Sequence, residues 1–383
     1  MAVAGNPHTS EETLAELAKE DDAYCCALAR NINTPGETLA GLAKKDDLQI
    51  RLLVAQNRGT PVEVLKKLAE DSDWNVRLSV AANPNSPKEI LAELAKDQDR
   101  AVRICVAQSS NISKKSLLEL SKDHWEVREA VAANPNTPKE MLAELAKDEF
   151  NCVRLAVAEH KNTSVETLSE LAKDDDVYIA CAVARNLNTS AETLAELAKD
   201  EDSQIRWWVA LNKYTPVEVL KFLASRETSP STLTELSKNS FDSVRMDVAA
   251  NPHTPVSVLC DLAKDESHAV RFVVAQNTNT SAETLAELAK VDSLRDIVAQ
   301  NLNTPAETLS LLAKDDSYLV RMGVAKNPHT PVNIIKQLEK DFVSVVREAA
   351  AATKSQMDLL SPKMTIEPVS RKKETGGSVK MKM

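Results

Sequence analysis

The chain has 383 residues, 43% apolar and 3% aromatic, with 57 Asp/Glu against 47 Lys/Arg for a formal net charge of −10. That apolar content supports an elongated core, and the scarcity of aromatic residues suits Leu/Ala/Val stacking better than a globular core. The acidic balance argues against broad binding to a phosphate backbone, which needs a basic face, and no apolar window reaches transmembrane length.

The opening MAVAGNPHT has neither a basic n-region nor an apolar h-region, so a cytoplasmic location is expected. Val3 and Ala4 fit the end of a half-unit, which starts the chain inside a repeat, before any polar capping element. Either a preceding part is missing, or another molecule covers this face, or the start is short and frays.

From Asn6 onward a single pattern returns, clearest as NPNTPKEMLAELAKDEFNCVRLAVA from Asn134 to Ala158. Self-similarity at this spacing marks a solenoid, whose units bury their apolar faces only by stacking on neighbours. The unit divides into two helical halves. In the first, Thr137 is expected as the cap, Pro138 as the first helical residue and Glu140 as the capping-box partner. Leu142, Leu145 and Ala146 follow at helical spacing, with Glu140, Glu144 and Lys147 toward solvent. In the second half Val153, Ala156, Val157 and Ala158 form another apolar face, over a helix short enough to be partly 3₁₀. A lone unit cannot fold, because each buried Leu or Val offers roughly 1.5–3 kcal/mol while ordering each residue costs roughly 1–2 kcal/mol.

Units start at Asn6, Asn31, Asn57, Asn83, Ser109, Asn134, His160, Asn186, Asn212, Ser225, Asn251, Asn277, Asn301 and Asn327. In the Ser109 unit Ile112 occupies the cap, with Asn111 or Ser113 as substitutes, and an irregular junction is expected there. The larger departure follows Asn212, where the first-type helix TPVEVLKFLA runs straight into SRETSPSTLTELSK and a second half-unit is absent. This divides the array into expected lobes 1–224 and 225–352. Beyond Ala352 the residues 353–383 read as a disordered basic tail, with seven Lys/Arg against three Asp/Glu, leaving about −14 for the repeats. Arg371, Lys372 and Lys373 in it suit a sorting signal, an acidic-surface contact or a merely solvated tail.

The pattern NxNTPxExLxxLAKDxDxxVRxxVAxN, over about nine-tenths of the chain, resembles the variant leucine-rich repeat family. The resemblance implies an all-α, right-handed superhelical solenoid of about 14 two-helix repeats, α alternating with short α or 3₁₀ helices, without β-sheet. Some family members carry a cysteine-rich iron–sulfur module ahead of the repeats, and no cysteine cluster precedes Asn6 here. No cofactor is expected.

The arginine of VRxxVA recurs at Arg51, Arg77, Arg103, Arg128, Arg154, Arg206, Arg245, Arg271, Arg295, Arg321 and Arg347, and stacking should align these into a ladder. It could grip phosphates, but Asp residues such as Asp71 and Asp73 just upstream of Arg77 would consume the donors in bidentate pairs, a structural role. Cys25 and Ala180 interrupt it. Trp74, Arg100, Trp125, Asn151, Val177 and Ser203 occupy one variable position in consecutive units. Trp74, Arg100 and Trp125 form the candidate partner-binding row, since Trp and Arg are favoured at interfaces; two aromatics covering the core edge is the alternative. Trp208 stands where most units have a small residue and suits filling of space at the missing half-unit.

Cys25, Cys26, Cys105, Cys152, Cys181 and Cys260 have no ligand-like spacing and read as small buried hydrophobes. The six histidines do not converge, and no metal site, phosphate loop, nucleophile elbow or HExxH helix appears. These readings point to a non-enzymatic protein- or peptide-binding scaffold. The alternatives are a nucleic-acid-binding helical repeat using the arginine ladder and basic tail, and an enzyme resembling HEAT-like glycosylases or bilin lyases.

Overall fold

A computed structural model describes residues 3–20, 22–227 and 229–360. Every regular element among them is helical, and they form two compact units that divide after Leu236. The all-helical repeat expected from the sequence is what folds.

Most repeats place a seven-residue first helix beside a nine-residue second helix, as in Lys139–Leu145 and Asn151–Glu159. Met141, Leu142 and Leu145 of the first are buried, as are Val153, Val157 and Ala158 of the second. In the first unit the second helices stack in series, with Trp125–Ala133 between Arg100–Gln108 and Asn151–Glu159. In the second unit, likewise, His268–Gln276 packs on Asp242–Ala250 and Tyr318–Lys326 on Arg295–Gln300.

The second half-repeat is regular α-helix in most repeats. Among the described residues 3₁₀ geometry appears at Asp22–Tyr24 and Asp292–Leu294. Both lie in repeats shorter than the usual 26 residues, Asn6 to Asn31 and Asn277 to Asn301, whereas the short Ser109 to Asn134 repeat keeps a regular α-helix.

The capping scheme differs from the expected one. Thr137 does not cap the helix that follows; its hydroxyl donates at 2.5 Å to the carbonyl of Val131, near the end of the preceding helix. Pro138 takes the N-cap place and the helix starts at Lys139. The reason is burial: the Val131 carbonyl lies where water does not reach, the Asn134 N–H gives it one donor, and the buried Thr137 hydroxyl gives the second. Where Ser replaces the proline, at Ser10, Ser113, Ser164, Ser190 and Ser281, its oxygen caps the first helix by accepting an N–H three residues on. Ser113 thus serves the Ser109 repeat, in which Ile112 is buried in place of threonine.

After Asn212 the helix Val217–Arg226 is followed by Pro230–Leu236, which packs on Ser203–Leu211. A segment with a first-helix sequence therefore occupies the place next to a second helix, and this is how the first unit accommodates its missing half-repeat. In the second unit the last helix runs Ser344–Leu360, past the expected end of order at Ala352. Buried Thr353 and the Lys354–Glu339 ion pair at 3.0 Å hold that extension. Residues 361–383, with Arg371, Lys372 and Lys373, lie outside the described residues.

Candidate interaction surface

The arginines reach forward rather than back. Arg77 Nε and Nη2 donate to Asp97 Oδ2 and Oδ1 at 2.6 and 2.9 Å, while Nη1 donates to the carbonyls of Asp71 and Ser72. Asp71, the expected partner, instead receives Arg51 of the preceding repeat at 2.7 Å. Each guanidinium so ties its own inter-helix loop to the next repeat's carboxylate, and that carboxylate also accepts an N–H two residues on. The same rung recurs at Arg103–Asp123, Arg128–Asp148, Arg154–Asp174, Arg245–Asp265 and Arg321–Asp341.

The electrostatics follow from this geometry. Hydrogen bonding to the aspartates raises Arg77 and Arg245 above the ordinary arginine range. Burial pushes the Asp97 and Asp265 carboxyls upward, but the guanidinium and backbone N–H bonds outweigh it and hold both below the ordinary range.

Four arginines depart from the rule. Glu227 replaces the aspartate and binds Arg206 at 2.6 and 2.7 Å, its longer side chain compensating for an extra residue of spacing. Arg295 is half-exposed and makes one bond of 3.1 Å to Asp315, with Asp292 at 2.7 Å. Arg271 donates only to the carbonyls of Asp265 and Glu266, because Val291 stands where its carboxylate would be. Arg347 donates to the Asp341 carbonyl.

A second ladder runs through the asparagines, which the sequence marked only as the starts of units. Asn57 Nδ2 donates to the carbonyls of Ala29 and Asn31 at 2.8 and 2.9 Å, and its Oδ1 accepts the Gly59 N–H. Asn83, Asn186, Asn212, Asn301 and Asn327 repeat the bonds to the preceding repeat. His160 takes the same place by mimicry. Its Nε2 lies 2.9 Å from the Asn134 carbonyl while Nδ1 accepts the Asn162 N–H, which defines the neutral Nε2–H tautomer. Burial lowers its pKa, against the opposing pull of the Asn134 carbonyl.

Trp74, Arg100 and Trp125 each begin a second helix. Trp74 is 41% exposed. Arg100 turns to Glu126 at 2.7 Å and to His124, and Trp125 stacks on Phe150 with centroids 5.6 Å apart. Phe150 and Tyr178, exposed on the following repeats, extend the row; their signal in the sequence was an aromatic within two residues of the variable position. Trp207 and Trp208 meet edge to face at 4.7 Å, with Arg185 5.1 Å over the Trp208 ring. Cys25 and Cys181 are buried, whereas Cys260 is exposed, contrary to the expectation for it. Among the described residues no group of three His, Cys, Asp or Glu is placed to hold a metal ion, and no helix is long and apolar enough to cross a membrane.

A groove of about 570 Å³ lies between the first helices Lys114–Leu120 and Lys139–Leu145, lined by Leu118, Met141 and Leu145 with Lys114, Lys122 and Glu144 at its edges. It opens where Leu118, 52% exposed, stands in place of the alanine that several repeats have, such as Ala92 and Ala143 on either side.

Repeated helix pairs joined by side-chain ladders define an all-helical tandem-repeat protein. Within that class, residues 125–150 and 153–176 match the family model described as "Leucine rich repeat variant", the family the sequence resembles. Among solved structures the chain is similar to a leucine-rich repeat variant with a novel repetitive motif, at 22% identity over 63% of this chain and 86% of that one, TM-score 0.29. An engineered protein matches at 17% identity over 91% and 98%, TM-score 0.24. A structure on Kap95p binding to RanGDP matches at 10% identity over 95% and 61%, TM-score 0.33. A search of curated proteins finds no match.

Proposed function

We propose that this chain is a non-enzymatic scaffold that binds a protein or peptide along its repeats, in the cytoplasm. The observation that supports it is the division of labour among side chains. Recurrent residues, the arginines with their aspartates and the asparagines with their carbonyls, are spent on joining repeats, while the exposed aromatics Trp74, Phe150 and Tyr178 occur only in particular repeats. Exposed tryptophan with a nearby arginine is the composition of an interface hot spot, and the Trp74–Arg100–Trp125 row is its centre in this reading. Lobes 1–224 and 225–352 belong to the same reading, divided where the half-repeat is missing after Ala224.

Nucleic-acid binding through the ladder is disfavoured, because guanidiniums held bidentately by aspartates have few donors left for phosphate. Pull-down with wild type and the Trp74→Ala/Trp125→Ala variant tests the proposal. Loss of a partner with the variant is expected, and unchanged recovery of every partner removes the row.

A further inference from the structure

The one interruption of the arginine ladder that leaves its acceptors behind is at Ala180. In the rungs on either side, Arg154 uses the carboxylate of Asp174 and the carbonyls of Asp148 and Glu149, and Arg206 uses Glu227 and the carbonyls of Asp200 and Glu201. The corresponding acceptors for position 180 are the carboxylate of Asp200, 20 residues on, and the carbonyls of Asp174 and Asp175. Asp200 keeps its turn bond from the Asp202 N–H at 2.8 Å, as rung aspartates do, so its backbone setting is that of an occupied rung. The other interruption, Cys25, has Lys45 at the matching place and offers no such set.

One further group completes the acceptors. Where glutamate follows the rung aspartate, it approaches the guanidinium: Glu149 lies 3.9 Å from Arg128 and Glu266 lies 3.8 Å from Arg245. Glu201 follows Asp200 in the same way and is exposed, as is Asp175. Ala180 itself is buried, and Glu201 and Asp175 are the exposed members of the set.

We propose that Asp200, Glu201 and the carbonyls of Asp174 and Asp175 form a binding site for a guanidinium group, supplied by an arginine side chain of a partner peptide. The partner's arginine completes in trans the rung that Ala180 leaves out in cis. This deepens the scaffold reading and rests on it for the partner. A planar fork satisfies a carboxylate and two carbonyls at once, as the chain's own rungs do, whereas an ammonium offers a point charge without that match. The site thus selects arginine over lysine, beyond the general attraction of an acidic protein for any cation.

The test compares labelled hexa-arginine and hexa-lysine peptides by fluorescence anisotropy on the full chain. Wild type is expected to bind hexa-arginine about tenfold more tightly. Ala180→Arg supplies the guanidinium internally and Asp200→Asn removes the carboxylate, so each brings the ratio close to one. Equal affinities on wild type, or a preference that survives both substitutions, overturns the site; should Ala180→Arg misfold, Asp200→Asn decides. If protein partners are retained unchanged by Ala180→Arg and the arginine preference is missing, the site falls and the scaffold stands. A clear preference that Asp200→Asn abolishes, with no protein partner captured, supports the site and removes the scaffold.

Discussion

Asp265→Asn and Asp315→Asn apply the same change to two rungs of one compact unit, and the structure makes their costs unequal. Asp265 receives Arg245 Nε at 2.6 Å and Nη2 at 2.9 Å, with side-chain exposures of 9% and 7% for arginine and aspartate. Asparagine keeps one oxygen to accept a single guanidinium N–H, but it removes the charge and turns an amide N–H toward the other donor, leaving the carbonyls of Asn239 and Ser240 and the distant Glu266 to make up the loss. Breaking one side of a buried pair costs roughly 3–5 kcal/mol, and the remaining carbonyl bonds place this case near 3. Arg295 is 32% exposed, makes a single 3.1 Å bond to Asp315 and keeps Asp292, so Asp315→Asn should cost about 1 kcal/mol. Because a repeat array need not unfold in one step, the measurement is amide hydrogen exchange in Asp242–Ala250 and Arg295–Gln300. Protection should drop about a hundredfold beside Asp265 and about fivefold beside Asp315. Equal losses at the two sites would refute burial as the source of the rungs' strength.

Three other outcomes follow from the ladders. Val291→Asp gives Arg271 the carboxylate its neighbours have and should stabilise the second unit by about 1–2 kcal/mol, read as a higher urea midpoint. Asn57→Ala orphans the buried Ala29 carbonyl and the Gly59 N–H and takes one of two donors from the Asn31 carbonyl, at about 2–4 kcal/mol, seen as lost exchange protection in Cys25–Arg30 and Leu48–Gln56. His160 is depressed when folded, so its contribution is complete above the unfolded value of about 6.5 and is lost as pH falls through the folded one. Wild type should therefore lose stability on acidification below about pH 6.5, in part through this residue, and His160→Asn should flatten that segment of the stability–pH curve. An unchanged slope would show that His160 does not titrate between the folded and unfolded states.

Helix periodicity, the repeat boundaries and the arginine ladder itself are plain in the sequence, because buried Leu and Val must recur at helical spacing for repeats to stack. The direction of the rungs is not. Arg77 has aspartates both six residues before it and 20 after it, and a strict repeat makes the two choices look alike; only packing shows that Asp97 is the partner. Thr137 misleads for a similar reason, since a hydroxyl before a helix can serve the helix behind it as well as the one ahead. His160 resembles a stray histidine until Asn134 and Asn162 show both ring nitrogens doing an asparagine's work. The row at Trp74 was visible as variation, but the stacking of Trp125 on Phe150 depended on adjacency between repeats.

The ladders also bear on how the chain reaches its native state. Arginine bonds span 20 or 21 positions and asparagine bonds 23 to 28, so the links that define each repeat close over short stretches of chain. Such locality lowers contact order, which favours rapid folding. On the ribosome, a repeat becomes complete once its successor has emerged, and order can advance from the N-terminal end with little unpaired apolar surface waiting for a distant partner.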